Sequence, residues 1–349
     1  MRQIKVPQAK AITGGSPAVV VGDIDTGLDK DHPDLAPNIA FDKTVSCESG
    51  VPKPGAGRLG RPRRPWNAHG RDDRGDNCKN DPDQRLLWKA AQRAIIYAYK
   101  RGVTNFASAG NQSDDLAHPT FDDISPDFPP RSEEEREITN ACVVVPVEVQ
   151  GVIGVSAVGN TTQVDGDDDP NDYLKSYYSS YGVGKVDVTA PGGDFFYGRG
   201  TEGQPFGLVL STWPTEIPCG RSRQDVAPGV GTVQYCYLQG TSMSSPHAAG
   251  VGALIVSVFG DADNPQNGKM RPGSVEQYMQ HTADPQPCPT ELPLQGAAGS
   301  SRANTPYLVG APRPDGSQQE CQGGEGYNSW YGSGQVNALS AILHDTSNN

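Results

Sequence analysis

Three short clusters of this chain hold residue types that could do chemistry: DIDTGLDKDHPDL at 23–35, ASAGNQSDD at 107–115 and QGTSMSSPHAAG at 239–250. Asp25 and Asn111 each follow an apolar run where a strand would end, and Ser242 stands between a strand-like run and an apolar, helix-like one. In an open α/β sheet, sites form at the carboxyl ends of strands. A hydroxyl near a helix N-terminus suits a nucleophile that passes through an anionic intermediate, because unpaired N–H groups and the helix dipole favour negative charge there. An Asp, an Asn and a Ser converging in this way match acyl transfer, with Ser242 as nucleophile and the Asn111 amide as an oxyanion donor. Singly, the three read as a turn Asp, a turn Asn and a helix-capping Ser; in combination they exceed what turns and caps explain. Ser242 is not in a GxSxG elbow, which disfavours an α/β-hydrolase.

These clusters need elements to hold them. PAVVVGDID (17–25) is an apolar, β-branched run ending in an acidic turn, the pattern of a buried parallel strand. Asp81 followed by Pro82 supplies an N-cap and a first-turn proline, so DQRLLWKAAQRAIIYAYKR reads as a helix that stops at Gly102. VTNFASAG (103–110), CVVVPVE (142–148), GVIGVSAVG (151–159), VDVTAP (186–191), LVLSTW (208–213) and VQYCYLQ (233–239) read as further strands. SSPHAAGVGALIVSVFG (244–260) is apolar all round, which predicts a buried helix ending at Gly260, and SVEQYMQHTA (274–283) a shorter surface helix. This β-α-β order implies a parallel sheet with helices on both faces.

Composition bounds the function. With 35% apolar and 20% charged residues in 349, the chain can bury a sizeable core. A net charge of −12 and a pI near 4.9 argue against a nucleic-acid partner. No apolar run is read as membrane-spanning, so no membrane partner is expected, and the chain is expected to be a monomer. The seven cysteines form no CxxC. Cys219 and Cys236 bracket one loop-like stretch, Cys288 and Cys321 another; their polar flanks favour disulfide staples of an exported protein over scattered thiols of a cytosolic one. The odd count leaves one cysteine over.

DTG followed by HPDL, then AGN, VDVTAPG and GTSMSSPHAAG, in this order, resembles the subtilases, the subtilisin-like serine proteases, and the closing SWYGSGQVNA is similar to that family's last segment. The resemblance covers most of the chain. It implies an α/β fold, a three-layer sandwich around a mostly parallel central sheet, with residues 1–349 as one catalytic domain. It implies a secreted serine endopeptidase acting on proteins or peptides through an acyl-enzyme. Carried over residue by residue, Asp25 is the triad carboxylate, Ser242 the nucleophile and Asn111 the oxyanion-hole amide, a donor whose loss in subtilisin costs roughly 10²–10³ in turnover.

The histidine departs from the pattern. The family places its catalytic imidazole between the Asp and the Asn in a motif like HGTHxAG, and no such motif is present. His32 belongs to HPDL and is read as structural. His69 overlays the first, non-catalytic His of the motif, leaving Asp72 at the catalytic place, and His118 and His247 match non-catalytic positions. In the same interval lies GRLGRPRRPWNAHGRDDRG (57–75), with arginines at 58, 61, 63, 64, 71 and 74 in an otherwise acidic chain. Read one base out of frame, permitted codons for this stretch give AAWDD, three freer residues, then HGTHTAGTIAA, the missing motif in its expected place. A frame change is favoured over a solvated loop or a basic patch for an anionic partner.

Three smaller expectations complete the reading. The interval from Asp25 to Asn111 is shorter than the family's, so a deletion near Asp76 is expected; it removes a wall of the specificity pocket, and it could have carried the odd cysteine's partner. The start at Met1 reads as the beginning of a mature domain whose signal peptide and pro-segment are missing. The acidic stretch with Asp165, Asp167, Asp168 and Asp169 could bind Ca²⁺, but Pro170 replaces the glycine an EF-hand loop needs and Ser176 its last Glu. It is read as a solvated insertion (165–172), and no metal or cofactor is assigned. Without the imidazole, the chain is expected to be inactive or weakly active; the alternatives are a non-catalytic peptide- or inhibitor-binding protein on this scaffold, or anion binding through the arginine segment.

Overall fold

The computed structural model describes residues 1–25, 28–46, 53–54, 76–125, 131–159, 173–195, 207–261, 270–288 and 313–346. The 57–75 stretch with His69, the acidic insertion and Cys47 lie outside the described residues. In chain order the strands are β1 (Val45–Ser46), β2 (Lys53–Pro54), β3 (Asp76–Cys78), β4 (Asn105–Ser108), β5 (Phe121–Asp122), β6 (Arg136–Glu137), β7 (Cys142–Val144), β8 (Val152–Val158), β9 (Val188–Pro191), β10 (Val209–Trp213), β11 (Ser222–Ala227), β12 (Gly231–Leu238), β13 (Gly323–Gly324) and β14 (Tyr327–Asn328). The helices are α1 (Val6–Ile12), α2 (Pro82–Tyr99), α3 (Thr241–Phe259), α4 (Pro272–His281) and α5 (Ala338–Leu343). Contacts group the chain into two units, one of 1–21, 71–208 and 239–349, the other of 22–70 and 209–238.

The first unit is organised by a parallel sheet of order β4-β8-β9, in which Phe106 pairs with Ile153 and Val155 with Val188. One face carries Ile153, Val155, Val188 and Ala190, packed with Ala248, Val251 and Ile255 of α3, Val275 and Met279 of α4, and residues of α1 and α5. Each large aliphatic buried there contributes roughly 1.5–3 kcal/mol. Ala107, Val144, Val147 and Val186 fill a second cluster. α3 lies close enough to the sheet that a Cβ on Gly252 would fall 2.7 Å from the Phe106 ring. The helix ends at Gly260, as read from the sequence.

α2 also forms as read. Asp81 caps it by accepting from the N–H groups of Asp83 (2.9 Å) and Gln84 (3.0 Å), with Pro82 in the first turn. Its apolar residues find little cover: none is buried, and Leu86, Leu87 and Tyr97 are exposed.

Two expectations are corrected. Residues 17–25 form no strand; Val20 and Val21 are about half exposed and Ile24 is fully exposed. A buried parallel strand requires ladder partners and cover on both faces. The described parallel sheet ends at β4, which bonds only to β8, so the run has no described ladder to join. α3 is buried along one stripe and not all round, with Val258 and Phe259 partly exposed. It is also, by length and composition alone, apolar enough to cross a membrane. Its stripe of Ala248, Val251 and Ile255 packs in the core, as the apolar stripe of a core helix does.

In the second unit, β10, β12 and β11 form an antiparallel sheet. β11 was not readable because its SRQDVA has no apolar alternation and its side chains are exposed. Cys219–Cys236 staples this sheet and Cys288–Cys321 closes a loop of the first unit, both as read. A third bond, Cys78–Cys142, joins residues 64 apart that stand opposite each other on β3 and β7.

Candidate functional site

β4 delivers its chain directly into the loop that carries Asn111. Gly110 there has φ +113°, which a side chain resists, and its added Cβ would fall 2.8 Å from Gln112 Oε1. The loop is laced to residues 178–181: Ser180 N–H donates to Gly110 O (2.9 Å), Ser113 N–H to Tyr178 O (2.8 Å) and Leu116 N–H to Tyr181 O (2.7 Å). That second segment is pinned by Lys175, which is fully buried. Its Nζ donates to Ser176 O (3.1 Å) and Ser179 O (2.7 Å) beneath the rings of Tyr181 and Trp330. Burial pushes the ammonium down to about 7, opposed by the Asp194 carboxylate, and the carbonyls and ring faces around it also favour its charge.

Asn111 Oδ1 accepts from both Thr241 N–H (2.9 Å) and Thr241 Oγ1 (3.0 Å), and Thr241 Oγ1 in turn accepts from Gly110 N–H (3.3 Å). With Oδ1 accepting from Thr241, Nδ2 is the donor end of the amide. The clamp falls on the first residue of α3, and Ser242 is the second, exposed at the positive end of the helix. Asn111 and Ser242 are thus tied to adjacent points of one framework. Thr241 was missed as a positioning residue, although the Thr before the Ser in QGTS was there to be read.

Asp25 is exposed, at a bend of the second unit. Three histidines weighed as bases are held by other groups. His32 is buried, takes Asp34 N–H on Nδ1 (3.2 Å) and meets the Tyr235 ring edge-on. His118 Nδ1 bonds Asp115 Oδ2 (2.9 Å). His247 Nδ1 bonds Met243 O (2.7 Å), and burial lowers its pKa. An open groove of about 400 Å³, lined by His118, Thr120, Ile138 and Thr139 among others, does not include Asn111 or Ser242. Among the described residues no group of His, Cys, Asp and Glu could hold a metal ion.

A profile of the subtilase family matches residues 71–334, most of the chain. The chain belongs to the subtilase family. This subtilase is 28% identical over 192 residues to an extracellular protease of Xanthomonas campestris pv. campestris; the match takes in 55% of the chain and spans 21% of that relative's length. Its fold is similar to the crystal structure of a lanthipeptide protease, with a TM-score of 0.58 at 21% identity over 98% of this chain and 92% of the other. The fold is therefore the α/β, subtilisin-like one. The family match begins within the arginine-rich stretch, so the Asp25 segment lies outside it while Asn111 and Ser242 lie inside.

Proposed function

We propose that the chain carries the acylating half of a serine endopeptidase, in one catalytic domain over residues 1–349, without the base that makes it run. Ser242 Oγ is the nucleophile toward a peptide carbonyl, Asn111 Nδ2 donates to the oxyanion that forms, and Asp25 is the carboxylate that an imidazole would need. The observation that carries this reading is the double hydrogen bond from Thr241 to Asn111 Oδ1, which orients the amide beside Ser242. Attack requires the Ser242 proton to leave, and no residue is assigned to take it. Loss of a triad member leaves only what the oxyanion hole and binding supply, roughly 10³–10⁴ over water. Extracellular work is supported by the three disulfides and by the name of the bacterial relative.

Hydrolysis of casein by the chain and by its Ser242→Ala variant tests this. Equal background rates are expected; clear Ser242-dependent turnover overturns the inactive reading. Re-reading the DNA over codons 55–80 tests the cause, since an in-frame HGTH string there restores a complete protease. Because the Asn111 clamp persists without a base, a second reading is a non-catalytic peptide- or inhibitor-binding protein. It requires cooperative unfolding together with peptide binding, and a chain that is unfolded or binds no peptide rules it out.

A further inference from the structure

Four carboxylates lie near the β3–β7 pair: Asp76 on β3 and, each acting on its charge, Asp114 in the loop after β4, Asp122 on β5 and Glu148 just after β7. Three of them have a cation. Arg136 on β6 donates to Asp122 Oδ2 through Nε (2.9 Å) and Nη2 (2.6 Å), Arg313 reaches Asp114 (3.4 Å), and Lys185 pairs with Glu148. The fourth has none. Asp76 is only 9% exposed, and its carboxyl makes no hydrogen bond or ion pair among the described residues. Arg136 does reach it, but through the Asp76 main-chain carbonyl (2.7 Å), with the guanidinium charge already committed to Asp122. From α2, packed against β3, Gln84 Oε1 accepts from Cys78 N–H, and Lys79, just after β3, acts on Glu148.

An ionised carboxylate in that position is largely buried, has no partner among the described residues and is repelled by three others, which is costly without a compensating positive charge. A metal ion is disfavoured, because no three such ligands converge among the described residues. We infer that Asp76 is a neutral carboxylic acid in the folded protein, its own proton serving as the fourth positive charge, and that this makes the β3–β7 pair an alkaline-sensitive point of the fold.

The direction follows from linkage. Burial, then the charges of Asp122, Asp114 and Glu148, push the Asp76 carboxyl up to about 8, while Arg136 opposes them. In the unfolded chain it titrates as an ordinary carboxylate near 4. Between these values the folded state holds a proton that the unfolded state has lost, so stability falls as pH rises from about 4 to about 8 and is level above. One such proton changes the folding equilibrium constant about tenfold per pH unit.

Urea unfolding of the chain and of its Asp76→Asn variant, disulfides intact, from pH 5 to pH 9 tests this. The chain's folding constant is expected to fall about tenfold more per pH unit than the variant's between pH 5 and 7. Parallel pH profiles overturn the inference. Should the variant not fold, carbon NMR of the aspartate carboxyls in the unmodified chain decides: one titrating near pH 8 supports it, and none above pH 7 overturns it. If added Na⁺, K⁺ or Ca²⁺ raises the urea midpoint of the chain at pH 9 but not that of Asp76→Asn, a cation and not a proton balances the charge, and the inference fails.

Discussion

The runs at 103–110 and 17–25 are built from the same small and β-branched residues, and each leads into a residue proposed for catalysis. The first becomes β4, with Ala107 and Ser108 buried in a parallel ladder, and hands Asn111 to a loop clasped from two sides. The second forms no strand and leaves Val20, Val21 and Ile24 exposed ahead of Asp25. Composition does not separate them; neighbours do. β4 has β8 beside it and α3 against its Phe106, whereas no described strand bonds to 17–25. The boundary of the family match falls between the two runs.

Substitutions can break or sharpen this contrast. The largest effect is expected at Ile255, fully buried on α3: Ile255→Ala should cost about 2–5 kcal/mol in urea unfolding, and a cost under about 1 kcal/mol would mean that the α3–sheet core is loose. Gly154 on β8 should rank next. A Cβ there would fall 2.2 Å from the Lys185 carbonyl oxygen, a backbone atom, so Gly154→Ala should cost about 1–3 kcal/mol. Asp81→Ala removes two cap hydrogen bonds from α2 and should cost about 1 kcal/mol, seen as a lower thermal midpoint. The smallest effect belongs to the other region. Ile24→Ala should change stability by no more than about 0.5 kcal/mol, and a core-sized loss would show that residues 17–25 are buried in solution.

Much of the fold was legible in local signals. The Asp81 cap, Gly102 and Gly260 delimit α2 and α3 because capping and helix termination involve only a few consecutive residues. β8 and β9 announced themselves as unbroken apolar runs, as strands buried on both faces do. For the site, resemblance pointed to Asn111 and Ser242, which stand as proposals, but not to the Thr241 clamp, which joins residues far apart in the chain, or to the Lys175 pin, which needs the fold to bury it. β11 was missed because it is polar and exposed on both faces, and Cys78–Cys142 because only the β3–β7 pairing brings its ends together.

By itself, then, the sequence determined most of the element types, the family and the absence of the family's histidine motif, and it pointed to the nucleophile and oxyanion amide proposed here. These reside in short windows, where propensity, caps and motif spacing act over a few residues. Tertiary structure decided which apolar runs are buried, how the Asn111 amide is turned, and which of four neighbouring carboxylates is left without a cation. Burial and charge balance depend on what the rest of the chain places alongside, and no local window contains that.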